Sequence, residues 1–106
     1  MYLNINPDGS LTLQEVDDFG RFEIRSAIDL KSGHFSQDFA KISEPSDDGR
    51  YWIDAEAIAE LSSRRGELEW STAYLEMLKK AEIYGFADVA RKKIKSHDRK
   101  FKTFAI

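Results

Sequence analysis

The chain's 106 residues suit a single domain, and a 42% apolar, 33% charged composition with 7 Phe, 4 Tyr and 2 Trp excludes an intrinsically disordered chain. The absence of cysteine excludes disulfides, thiolate zinc sites and cysteine nucleophiles, and no run approaches the roughly 18 apolar residues of a membrane-spanning helix. The net charge of −3 conceals an asymmetry: residues 1–78 carry 7 Lys and Arg against 16 Asp and Glu, a net of −9, while residues 79–106 carry 9 against 3, a net of +6.

Tyr2, Leu3 and Ile5 precede Asn6-Pro7-Asp8-Gly9-Ser10, and Leu11 and Leu13 resume the apolar pattern. Pro sets φ, Asp bonds its own backbone and Gly accepts a positive φ, so the spacing predicts a hairpin with strands near 2–6 and 10–16. Met1 to Asp8 has neither a basic nor a long apolar stretch of the kind a leader carries, which makes the cytoplasm the expected address.

After Asp17-Asp18-Phe19-Gly20 comes a strict alternation. Phe22, Ile24, Ser26, Ile28 and Leu30 share one parity, and Arg21, Glu23, Arg25, Ala27, Asp29 and Lys31 share the other. Period two predicts a strand with one buried and one solvated face. As an edge strand it would also offer a route to dimerisation. In residues 34–42, Phe35, Phe39 and Ile42 fit a helix face while Phe35, Gln37 and Phe39 fit one side of a strand, with a short helix or irregular cover preferred, and Glu44 to Gly49 has loop composition.

Asp54 is a good helix N-cap, with Ile53 and Ile58 at the spacing of a hydrophobic staple, so a first long helix is expected from about Ala55 to Arg65, ended by Gly66. A second is expected to start between Glu67 and Thr72 and to run to Tyr84. Trp70, Tyr74, Met77, Ala81 and Tyr84 line one face, Leu75 and Leu78 widen it, and Gly85 stops it. A third is expected from Ala87 or Asp88, with Ala90, Ile94, His97 and Phe101 inward and fraying after His97.

The expected fold is therefore α+β. A small antiparallel sheet of about three strands, within residues 2–30, packs on two or three C-terminal helices. The single domain spans 1–106, with a strand-and-turn half to residue 50 and a helical half from residue 51.

On the expected third helix Lys92, Lys95, Arg99 and Lys102 form a basic stripe flanked by Arg91, Lys93 and Lys100. Like charges at this spacing repel, by roughly 0.2–0.5 kcal/mol per pair, and so call for a counter-charge. Phosphate is one candidate, with Phe101 and Phe104 as stacking partners, and the acidic half of the same chain is the other. His34 with Asp38, and His97 beside Asp98, are isolated pairs that lack convergent ligands. The paired carboxylates Asp17-Asp18, Asp47-Asp48 and Glu67/Glu69 lie in turns or at a helix start, and no catalytic, metal, cofactor or phosphate-loop motif is present. Trp52, Trp70, Phe101 and Phe104 are candidate interface aromatics. The leading expectation is a non-catalytic accessory or protein-interaction domain that engages a protein partner through its helical aromatic surface and basic C-terminus, or a second copy of itself, and no membrane. The alternatives are a nucleic-acid-associated protein acting through residues 91–102, and a small-ligand binder or minor enzyme with a pocket between sheet and helices.

Overall fold

The structure, a computed structural model, describes residues 1–27 and 36–96, and the backbone of residues 102 and 103. The chain is α+β. Strands β1 (Tyr2–Ile5), β2 (Leu11–Gln14) and β3 (Glu23–Ser26) are followed by helix α1 (Gln37–Ile42) and strands β4 (Ser43–Pro45) and β5 (Tyr51–Asp54). Helices α2 (Ala55–Leu61) and α3 (Leu68–Ile83) come next, then strands β6 (Ala87–Asp88), β7 (Lys93–Lys95) and β8 (Lys102–Thr103).

The first hairpin forms as its turn chemistry dictates. Gly9 takes φ +86°, its N–H reaches the Asn6 carbonyl at 2.8 Å, and the Asp8 carboxylate accepts from the Ser10 N–H at 2.9 Å. β1 pairs antiparallel with β2 but parallel with β3, with Leu3 opposite Ile24. The sheet order is β2-β1-β3-β8. It is thus mixed rather than purely antiparallel, and β3 lies inside it. Residues 23–26 therefore form no sheet edge open to a symmetry mate, and residues 28–31 of the expected strand lie outside the described residues.

Phe22, Ile24 and Ser26 are buried on β3, as the alternation requires, but Glu23 of the opposite parity is buried too, at 2% exposure. The face that the alternation assigns to solvent is thus partly closed, with Arg25 half-buried on it. The Glu23 carboxylate is met by the guanidinium groups of Arg21 and Arg25.

A second sheet, unexpected from the sequence, has the order β4-β5-β7-β6. Ile53 on β5 lies opposite Ile94 on β7, and Ile94 opposite Ala87 on β6. All three are buried. The expected third helix is therefore corrected: residues 87–95 form a β-hairpin. A four-residue loop (89–92) joins its strands, with the Lys92 N–H donating to the Val89 carbonyl at 3.2 Å, the Arg91 N–H to Asp88 Oδ1 at 3.1 Å, and Lys92 in the left-handed region at φ +58°. Strands and helices consequently interleave across residue 50, and the proposed division there into a strand half and a helical half does not hold.

The two helices beyond residue 54 begin where the sequence places them. Asp54 caps α2 by accepting from the N–H groups of Glu56 and Ala57. The helix stops at Leu61, four residues short of Arg65, because the buried Ser62 takes an extended conformation. Helix α3 ends in a full Schellman motif: the Phe86 N–H meets the Ala81 carbonyl at 2.9 Å, the Gly85 N–H meets Glu82 at 3.1 Å, and Gly85 sits at φ +82°.

One continuous core joins both sheets to α3. Trp70 stacks on Tyr74, with ring centroids 5.0 Å apart. The Trp70 indole donates to the Val16 carbonyl at 2.7 Å, just past β2, and the Tyr74 hydroxyl to the Ala55 carbonyl at 2.8 Å, just past β5. Two adjacent turns of one helix therefore fasten the two sheets to each other.

Candidate interaction surface

The basic segment enters the fold as part of a hairpin, so its cations do not share a helix face. Arg91, Lys92 and Lys95 each face an acid of their own chain. Lys92, in the hairpin loop, lies 2.6 Å from Glu56. Arg91 is 3.7 Å from Asp88.

Lys95 is the most enclosed of the three, with its side chain 13% exposed. Its ammonium is 3.1 Å from Asp48 and 4.5 Å from the Trp52 ring centroid. Asp48 also takes Arg50 at 2.8 Å and Ser46 Oγ at 2.6 Å. The Ser46 hydroxyl foremost, then the Arg50 N–H, Lys95 and the Arg50 guanidinium, hold the Asp48 carboxyl well below the usual carboxylate range, against some desolvation. Lys92 and Lys95 of the basic segment thus meet acids of the acidic one.

Of the other candidates, Trp70 is core, at 2% exposure, and Trp52 is half-buried under Lys95. Arg99, Phe101, Phe104, His34 and His97 lie outside the described residues, and of Lys102 only the backbone, in β8, is described. Among the described residues, no three His, Asp or Glu side chains gather as metal ligands would, and no helix is long and apolar enough to cross a membrane.

The outer face of α3 is the feature that sequence reasoning missed. Trp70, Tyr74, Met77 and Leu78 are buried along one side of this 16-residue helix. The opposite side carries Leu68 at 81% exposure, Leu75 at 43% and Ile83 at 78%, with Tyr84 at 77% just past the helix end. Leu75 and Tyr84, expected inward, therefore face solvent.

Leu68, Thr72, Leu75, Lys79 and Ile83 step by four, three, four and four, which sets them in one row. A sequence signal existed. Helix α3 has apolar residues on two faces, and only one can be spent on the core.

No protein-family model, curated protein or solved structure matches this chain. The candidate surface therefore stands on its geometry alone. On the other side of α3 lies a shallow cleft with a volume of about 330 Å³, between Phe19 and Phe22 on one side and Met77, Tyr84 and Phe86 on the other, with Lys80 among its lining residues.

Proposed function

We propose that this chain is a non-catalytic interaction domain that engages a protein through the outer face of α3. The observation that carries the reading is the exposed row of Leu68, Leu75 and Ile83, at 81%, 43% and 78% exposure, on a helix whose other side already fills the core. Scattered exposed apolar residues are ordinary, but a row along one rigid helix is the form in which helix–groove and helix–helix recognition presents its anchors. The pairing of Arg91, Lys92 and Lys95 with acids of the same chain weighs against the nucleic-acid reading, since those counter-charges are already supplied. Affinity purification from the native host tests the proposal. Wild type should retain a protein in stoichiometric amount that Leu75→Glu loses; equal recovery with both baits would overturn it.

The cleft beside Phe19 and Met77 favours a second reading, a small-ligand site. Its volume of about 330 Å³ falls at the lower end of the range for such pockets, roughly 300–1,000 Å³. A thermal-shift screen of metabolites checks it, with stabilisation by one compound class expected and abolished by Met77→Trp, which fills the cleft.

A further inference from the structure

The row on α3 has a property that a surface for an unrelated partner does not need. Leu75 stands near its middle, seven residues from Leu68 and eight from Ile83, or about 10.5 and about 12 Å along the axis. A two-fold axis passing beside Leu75 would set Leu68 of each copy against Ile83 of the other, and Leu75 against itself. Steps of three and four are the spacing at which two helices interlock side chains along a seam. We propose that two copies of this chain pair through α3 in antiparallel orientation. This rests on the interaction-surface reading given above and names the partner as a second copy.

Parallel pairing would also match apolar residues, so charge decides the direction. The start of α3 carries Glu69 and its second half carries Lys79 and Lys80, all exposed. Parallel helices would bring like charges together, whereas antiparallel helices bring Glu69 of one copy toward Lys80 of the other and oppose the helix dipoles. The remaining acids at the two ends of the helix are engaged elsewhere. The Glu82 carboxylate accepts from the Val89 N–H at 2.8 Å, and Glu67 is held by Arg64 at 2.9 Å. Glu76, 3.6 Å from Lys79 of its own helix, lies beside the axis. Thr72 keeps the seam between Leu68 and Leu75 narrow enough for close approach.

Sixteen residues give a helix about 24 Å long. A single helix pair of that length falls at the small end of protein interfaces, below roughly 1,200 Å² in total. The association is therefore weak and reversible, with a dissociation constant on the order of micromolar or above.

Sedimentation equilibrium from about 10 to about 500 µM should show a monomer–dimer equilibrium for wild type and a monomer for Leu75→Glu. Residue 75 is solvent-exposed, so an unchanged circular dichroism spectrum and thermal midpoint will confirm that this variant folds. The cysteine-free sequence allows orientation to be read with single introduced thiols and a short bis-maleimide linker. Leu75→Cys should cross-link to itself, and Leu68→Cys should link to Ile83→Cys when the two are mixed but not to its own copy.

Self-linking of Leu68→Cys, a dimer undiminished in Leu75→Glu, or a monomer at every concentration would each overturn the pairing. The broader reading is judged separately by the purification test. A monomeric wild type that retains a stoichiometric partner lost in Leu75→Glu sinks only the self-pairing, and loss of both sinks the surface itself.

Discussion

Lys95 reaches Asp48 across 47 positions of sequence, with 3.1 Å between ammonium and carboxylate. The contact belongs to a small cluster in which Arg50 shares the same carboxylate oxygen and the aromatic faces of Trp52 and Phe86 lie beneath Lys95 and Arg50. It ties the turn between β4 and β5 to β7, and it sets a cation of the basic segment against a carboxylate of the acidic one.

Replacing Asp48 by Asn should destabilise the fold at neutral pH and leave it nearly unaltered in strong acid. The carboxyl is held below its ordinary value of 3.8, chiefly by the Ser46 hydroxyl. A depressed acid contributes stability that is complete above the unfolded-state value and is lost as pH falls through the folded one. The difference in thermal midpoint between wild type and Asp48→Asn should therefore be largest near neutrality and close as pH falls below about 4. A gap independent of pH would show that the carboxylate charge is not what matters.

Tyr74 provides the corresponding test on the alkaline side. Burial pushes its phenol above the ordinary 10.0, with the Asp54 charge adding to the effect. The folded state then holds the proton where the unfolded state releases it, so stability falls as pH rises past about 10. The phenolate absorbance that distinguishes wild type from Tyr74→Phe should appear only with the unfolding transition. At neutral pH Tyr74→Phe leaves the buried Ala55 carbonyl without its 2.8 Å donor, at a cost of about 1–2 kcal/mol measurable by urea denaturation.

What was legible in the sequence was local. The Pro7-Asp8-Gly9 turn, the Asp54 cap, the Gly85 stop and the Trp70–Met77 stripe each rest on interactions within a few residues, and each appears as its chemistry demands. The hairpin of β6 and β7 rests on a distant partner. Ile94 is paired with β5 and points into the shared core, and nothing within residues 87–95 announces that strand. Ala90 and Ile94 satisfied a helical period by coincidence, whereas the strand-like alternation in Lys93-Ile94-Lys95-Ser96, with Ile94 and Ser96 buried, was short enough to pass unnoticed. The candidate surface was missed for a related reason. A helical stripe shows that a face is apolar but not which of two apolar faces the sheets will claim.

Glu23 marks another place where tertiary structure overrode a local pattern, and its replacement should be costly. It is 2% exposed on β3, and removing its charge leaves the guanidinium groups of Arg21 and Arg25 without that carboxylate. Glu23→Ala should lose about 3 kcal/mol, the low end for breaking a buried pair, because both arginine heads reach solvent. Glu23→Gln, which keeps the volume and part of the hydrogen bonding, should lose less. Chemical denaturation of the two variants gives the order, and equal losses would mean that packing rather than charge governs the site.

Gly85 separates backbone strain from packing more cleanly than any core position. It sits at φ +82°, and a Cβ built there meets no atom within 4 Å. Gly85→Ala therefore adds no clash, and its whole effect comes from forcing an L side chain into the left-handed region, at roughly 1–2 kcal/mol. Gly85→Asn should recover part of that loss, since Asn tolerates this conformation better than Ala does. If denaturation shows Ala and Asn equally tolerated, the Schellman ending must have relaxed. The Phe86 N–H would then have left the Ala81 carbonyl, and slowed hydrogen exchange at Phe86 in wild type but not in the variants would record the change. If the ending holds, the Lys95 N–H, which reaches the Phe86 carbonyl at 2.8 Å, should stay protected in every variant, because the same residue that closes α3 also opens the second sheet's last hairpin.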